Sequence, residues 1–152
     1  MSSIGILTAE RKAEFRKMCT DSFCEDGDLI WDVVISLDSY QLAQKNGLNT
    51  QADYGAAIAK ILPAFFKSVG LNPDNMYWWE NYHNNKDHPH MHVCFLEKVN
   101  TRNKGCFTQK QLDRLKRIVI KELTARESLR EKTGLSSEQF LQNTQYSKEA
   151  LV

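Results

Sequence analysis

The sequence lacks the features that mark membrane-spanning and secreted proteins. Its 152 residues include only four cysteines and three prolines, and contain no long apolar run. A membrane-spanning helix needs about 20 mostly apolar residues, and a secretory signal peptide needs an apolar stretch near the N-terminus. No two cysteines have the Cys-x-x-Cys spacing of common zinc and redox sites. We therefore expect a cytoplasmic protein with reduced thiols and no membrane partner.

Histidine is scarce too, but all four histidines lie between His83 and His92. Alternate residues of a β-strand share a face, so His90 and His92 are expected side by side. The aromatic segment Met76–His83 predicts a second strand, and the Asn, Asp and Pro residues that follow it are typical of a hairpin loop. Pairing of the two strands would bring three imidazoles together. The alternative is a half-exposed polar strand face that binds no ligand.

Three converging imidazoles predict a divalent-metal site that is open on one side. The expected ion is Mn²⁺ or Mg²⁺, and neutral imidazoles favour Mn²⁺ and other transition ions. The predicted ligands are His83, His90 and His92. Asp32 lies on the more polar face of a third predicted strand, Leu29 to Leu37. If that strand neighbours the histidine strand, the carboxylate of Asp32 could fix the tautomer of a metal-bound histidine. Otherwise Asp32 is a solvated strand carboxylate.

Charge is distributed unevenly although the formal net charge is only +1. Residues 1–38 contain four basic and eight acidic residues, whereas residues 98–132 contain eleven basic and four acidic ones. This segregation favours a polyanionic partner. A long helix is predicted from Thr108 to about Lys132, and one of its faces carries a basic stripe that we expect to contact DNA phosphates. The alternative is an ordinary solvated face. The stripe consists of Lys110, Arg114, Arg117 and Lys121.

The predicted elements indicate one α+β domain over residues 1–152, with a loose tail at residues 143–152. Helices are expected from Thr8 to Cys19 and from Ala52 to Val69, with Pro63 kinking or splitting the second. The three strands should form an antiparallel sheet with helices packed on one face and the histidines on the other. On the aromatic strand, an exposed Trp79 could stack a DNA base.

The histidine motif resembles that of HUH endonucleases, which nick single-stranded DNA. The spacing of His83 and the segment Pro89-His90-Met91-His92 is similar to the third motif of conjugative relaxases. The segment Leu29–Asp38, followed by Asn46-Gly47-Leu48, resembles the region before this motif in MobL-type relaxases of Gram-positive mobile elements. The resemblance covers about residues 4–125. It implies a metal-dependent relaxase whose partners are single-stranded DNA at an origin of transfer or replication, together with other relaxosome proteins.

The resemblance also implies a nucleophilic tyrosine. In relaxases this tyrosine lies near the N-terminus, but residues 1–28 contain none. We therefore expect that the chain lacks the family's first segment and that it forms no covalent DNA intermediate by itself. Two candidates lie within the chain: Tyr40, before the histidines, and Tyr146, on the side where HUH transposases carry their nucleophile. The competing hypotheses are a catalytically silent DNA-binding accessory module of the same fold and a metallohydrolase acting on nucleotides.

Overall fold

The computed structural model describes residues 1–23 and 28–133, so Tyr146 and the tail at residues 143–152 lie outside the described residues. Three strands and four α-helices confirm the predicted α+β class. The strands are β1 (Ile30–Ser36), β2 (Met76–His83) and β3 (His90–Glu97), and the helices are α1 (Ala9–Ser22), α2 (Tyr40–Lys45), α3 (Gln51–Ser68) and α4 (Gln109–Thr133). A 3₁₀ turn, Pro73–Asn75, precedes β2. Among the described helices, none has the combination of length and apolar character needed to cross a membrane.

The sheet is antiparallel throughout, in the order β1-β3-β2. The histidine strand β3 is therefore the central strand, with a hairpin partner, β2, on one side and β1 on the other. In the register of the sheet, His90 lies between Ser36 and His83, and His92 lies between Val34 and Asn81. This arrangement confirms that the two histidine-bearing segments pair with each other.

The two faces of the sheet differ in what covers them. Because side chains alternate along each strand, Trp31, Val93 and Phe95 point to one face and the histidines to the other. Helix α3 covers the first face, where Phe65 packs against Phe95, and α4 packs against α3. We call these two sides the core face and the histidine face. The placement of α3 and α4 on the core face agrees with the prediction.

Helix α1 lies on the other side, over part of the histidine face. Its N-cap is Thr8, as predicted, and its one fully buried residue is Phe15. The ring of Phe15 makes edge-on contacts with Tyr77 and Trp79, at centroid distances of 5.8 and 6.0 Å. Helices therefore contact both faces of the sheet: the predicted packing on one face is correct for α3 and α4 and wrong for α1.

The helices begin at side chains that satisfy their first backbone N–H groups. At the start of α3, Thr50 and Asp53 form a reciprocal capping box. Thr108 and Gln111 make the equivalent pair of hydrogen bonds at the start of α4, at 2.8 and 3.3 Å. Pro63 does not split α3, which runs without interruption from Gln51 to Ser68. Proline removes one backbone hydrogen bond, and buried contacts on both sides of Pro63 keep the helix continuous.

The core is aromatic and centres on Phe95 of β3, which is 0% exposed. Its ring stacks on Trp31 at a centroid distance of 5.3 Å and meets Phe66 edge-on at 5.1 Å. Phe65 and Phe107 complete the cluster. The histidine strand is thus fixed from behind by rings that come from β1, α3 and the segment before α4.

Replacing Phe95 with alanine should lower the free energy of unfolding by about 3–5 kcal/mol, because it leaves a cavity among four aromatic rings. Urea unfolding followed by circular dichroism measures the change. Val99→Ala is the matched control, since Val99 is 70% exposed and its truncation should change stability by less than about 0.5 kcal/mol. Similar losses in the two variants would contradict the central position of Phe95.

Candidate functional site

Three histidine rings lie together at one end of the histidine face. His83 and His90 are directly opposite each other in the β2–β3 ladder, and His92 follows His90 at the next position on the same face. The ring centroids are 5.2 Å apart for His83–His90, 4.9 Å for His83–His92 and 5.8 Å for His90–His92. The hairpin therefore brings together the three side chains that the sequence singled out. We call them the histidine cluster.

The spacing of the cluster suits a three-histidine metal site. Imidazoles bound to one ion through metal–nitrogen bonds of about 2.1 Å, in tetrahedral directions, have ring centres roughly 5 Å apart. The Nδ1 atom of His90 is buried and has no hydrogen-bond partner among the described residues. A ring nitrogen in this situation can donate an electron pair to a metal ion. The donor set and its spacing therefore fit a divalent ion.

The orientations of the three rings differ from those of imidazoles bound to one metal ion. The His83 and His90 rings are stacked, with only 21° between their planes. Across residues 1–23 and 28–133, no group of three or more His, Cys, Asp or Glu side chains is placed to hold a metal ion. The three rings are close together, but their orientations do not direct three nitrogens to one centre.

Asp32 is placed beside the cluster. Strand β1 neighbours β3, and Oδ1 of Asp32 lies 3.6 Å from Nδ1 of His92. The same carboxylate faces Cys94 directly across the ladder. Burial, together with the charge of Asp32 and a hydrogen bond to it, raises the pKa of the Cys94 thiol to about 11. The Cys94 thiol therefore stays protonated near neutral pH when no metal is bound.

His88 adds a fourth ring to the edge of the cluster. It lies in the loop between β2 and β3, and its centroid is 5.8 Å from that of His90. Sequence reasoning did not include it among the metal ligands. Its position one residue before Pro89 puts it off the strand, where alternation no longer predicts which way a side chain points.

Each of the four described tyrosines is engaged in ring packing or in a hydrogen bond. Tyr54 and Tyr82 pack together on the core face with ring centroids 4.6 Å apart, and burial raises the pKa of both hydroxyls. Tyr77 packs against Phe15 and lies under the Lys98 ammonium. The hydroxyl of Tyr40, at the first position of α2, donates a hydrogen bond to the Lys86 carbonyl at 3.2 Å.

The basic stripe of α4 lies on a different side of the molecule. Helix α4 packs against α3, and its Leu115 belongs to the core on the far side of the sheet from the histidines. Lys110, Arg117 and Lys121 are exposed. Arg114 is half-buried, and its Nη1 donates a hydrogen bond to the Ser68 carbonyl at the end of α3, at 2.8 Å.

Comparison with known proteins identifies the family. A model of the MobL relaxases matches residues 3–151. The chain belongs to the MobL relaxase family. Membership of this family supports a relaxase-like function on DNA. No curated protein and no solved structure matches the chain significantly.

Within the basic stripe, Arg114 should differ from its neighbours in its effect on stability. Arg114→Ala removes a hydrogen bond between a charged group and a half-buried carbonyl, and we expect a loss of about 1 kcal/mol in the free energy of unfolding. Lys110→Ala, at an exposed position of the same helix, is the control and should change stability by less than about 0.5 kcal/mol. Chemical unfolding of both variants measures the difference. Equal stabilities would show that the Arg114–Ser68 contact contributes nothing to the fold.

Proposed function

We propose that this MobL relaxase domain binds single-stranded DNA of a mobile element and nicks it at the histidine cluster. The observation that carries the proposal is the meeting of His83, His90 and His92 on one face of the sheet, in a chain of this family. Phosphoryl transfer needs a group that neutralises charge on the phosphate oxygens, and a divalent ion bound by the three imidazoles would supply it.

The proposed ligands of a divalent ion are His83, His90 and His92, with Asp32 orienting the ring of His92. A bound ion would polarise the phosphoryl oxygens of the scissile phosphate and stabilise the charge of the transition state. Three imidazoles suit Mn²⁺ and other transition ions better than Mg²⁺. The unsatisfied Nδ1 atom of His90 and the ring spacing support this assignment.

The proposed nick is a transesterification. A tyrosine hydroxyl attacks the phosphorus, the bond from phosphorus to the 3′ oxygen breaks, and the proton of the hydroxyl ends on the departing 3′ oxygen. The products are a phosphotyrosyl bond to the 5′ side and a free 3′-hydroxyl. Two tyrosines are candidates for this role. Tyr40 lies beside the loop that joins the histidine strands, and Tyr146 lies outside the described residues.

The basic stripe of α4 is proposed to contact phosphates farther along the strand. Its exposed members Lys110, Arg117 and Lys121 carry the positive charge that such contacts need. Since α4 lies on the core side of the sheet, these contacts require DNA that passes round the edge of the domain.

A catalytically silent DNA-binding module is the second candidate function. The observation that favours it is that each of the four described tyrosines is already engaged in ring packing or in a hydrogen bond. In particular, Tyr54 and Tyr82 are on the core face, and their raised pKa values disfavour the phenolate form. A module of this kind would share the DNA affinity and lack the covalent step.

Metal binding tests the histidine cluster directly. Calorimetric titration with Mn²⁺ should show one site in the wild type and at least about tenfold weaker binding in His90→Ala, because the ion loses a ligand from the central strand. His88→Ala is the matched control, because His88 lies in the same hairpin but is not a proposed ligand, and its affinity should stay close to that of the wild type. Equal affinity in the wild type and His90→Ala would rule out the proposed metal site.

Covalent adduct formation tests the nicking reaction. The protein is incubated with Mn²⁺ and single-stranded DNA from the origin of its own element, and a denaturing gel then separates free protein from protein–DNA adducts. A shifted band that is lost in His90→Ala supports the nickase, and its loss in Tyr40→Phe or in Tyr146→Phe identifies the nucleophile. DNA binding without any adduct in the wild type would favour the silent module instead.

A further inference from the structure

A groove runs between α1 and β2 on the histidine face. It encloses about 460 Å³ and is lined by side chains of both elements, among them Lys12, Phe15, Arg16, Cys19, Trp79 and Asn81. This volume falls within the range of roughly 300–1,000 Å³ that is usual for ligand pockets. Neither the metal ligands nor the basic stripe of α4 belongs to it, so the functions discussed above leave the groove unassigned.

The α1 wall of the groove is basic. Lys12, Phe15, Arg16 and Cys19 follow one another at steps of three, one and three residues, which places them on one side of a helix. Phe15 points down into the contact with the sheet, whereas Lys12 and Arg16 are exposed at the rim. No carboxylate lines the groove within the part of the chain that the structure describes. The groove therefore favours an anionic ligand, although residues 1–38 are acidic overall.

The sheet wall of the groove offers an aromatic surface. Trp31 and Trp78 are each 7% exposed and belong to the core, whereas Trp79 is only half-buried on the histidine face. Phe15 supports the Trp79 ring by an edge-on contact, with 78° between the ring planes. An indole held from the side in this way can stack a planar ligand at little entropic cost.

The groove is continuous with the histidine cluster. Trp79, Asn81 and His83 occupy successive positions on the same face of β2, and Asn81 is the direct neighbour of His92 in the ladder. His83 lies four residue steps beyond Trp79 along the strand, a distance of roughly 13 Å. A single DNA strand can therefore contact the cluster and the groove together.

We propose that this groove is a nucleotide-binding subsite for the single-stranded DNA next to the scissile phosphate. In it a base stacks on Trp79, Lys12 and Arg16 contact backbone phosphates, and the amide of Asn81 hydrogen-bonds the nucleotide between the groove and the cluster. This inference rests on the proposed function, because these residues would position the single-stranded DNA for nicking at the histidine cluster. Any of the four bases can stack on one aromatic ring. This subsite therefore strengthens DNA binding and positions the strand relative to the histidine cluster, with little preference for base sequence.

A second cavity, of about 400 Å³, is a weaker candidate for the same role. It lies at the opposite end of β2, around Met76, Tyr77 and Lys98. The ammonium of Lys98 there already donates to the Asp74 carbonyl at 2.8 Å and lies over the Tyr77 ring. Its one cation is thus engaged within the protein, unlike the two exposed cations at the rim of the α1 groove.

Two replacements of Trp79 test whether a base stacks on its ring. Trp79→Leu keeps an apolar contact for Phe15 but removes the aromatic surface, whereas Trp79→Phe keeps a ring. Fluorescence anisotropy with a labelled oligothymidylate should show affinity about fivefold to a hundredfold weaker for Trp79→Leu, and much of it restored in Trp79→Phe. The measurement is made with EDTA, so that it depends on neither metal nor nicking. Thermal unfolding of each variant confirms that it is folded.

The charge arm uses the salt dependence of the same binding. Lys12→Gln combined with Arg16→Gln should flatten the slope of log affinity against log salt by about 1.4, since each phosphate contact on single-stranded DNA contributes about 0.7. Lys17→Gln combined with Lys67→Gln removes the same charge from exposed positions on α1 and α3 that do not line the groove. This control pair should leave the slope close to that of the wild type.

The outcomes separate the subsite from the proposed function. If the wild type binds the oligonucleotide and Trp79→Leu binds it equally well, the subsite is wrong while the nicking proposal stands. The same conclusion follows if both double variants change the slope equally. If the wild type has no affinity for single-stranded DNA, then the proposed function fails and the subsite fails with it.

Discussion

The antiparallel register of β2 and β3 is the constraint on which the functional face depends. It places His83 opposite His90 and Asn81 opposite His92, and it does so on the same side of the sheet. Because side chains alternate with a period of two, a slip of one residue in this pairing would place His83 on the core face and Tyr82 on the histidine face. The aromatic core opposes such a slip, since Trp78 would lose its buried position and Tyr82 its contact with Tyr54.

The sheet also separates two kinds of chemistry. The core face carries rings and hydroxyls whose role is packing, including the Tyr54–Tyr82 pair. The histidine face carries the imidazoles, the Asp32 carboxylate and the half-buried Trp79, and α1 covers part of it. This division explains why Tyr82, although adjacent to His83 in sequence, belongs to the packed side of the sheet. Tyr82 precedes His83 directly and yet faces the other way.

Local signals were sufficient to predict much of the fold. Alternation identified β1, and capping residues marked the starts of α1 and α4, because these features depend on neighbours within a few residues. The histidine cluster was also predicted, since a hairpin with a short loop brings its two strands together almost independently of the rest of the chain. The sequence left open whether Pro63 kinks or splits α3, since the continuity of the helix depends on contacts made by distant parts of the core.

The sequence by itself thus determined the elements, the family and the three histidines that meet across the hairpin. Only the tertiary structure decided that α1 covers the face opposite to the one covered by α3. Helix α1 could have packed on either face, and its position creates the groove beside Trp79. In the sequence, Arg114 cannot be distinguished from the other cations of the basic stripe. In the structure, its guanidinium donates a hydrogen bond to the Ser68 carbonyl at the end of α3. Both results follow from contacts between residues more than 40 positions apart, and no periodicity or spacing within a single segment encodes such contacts.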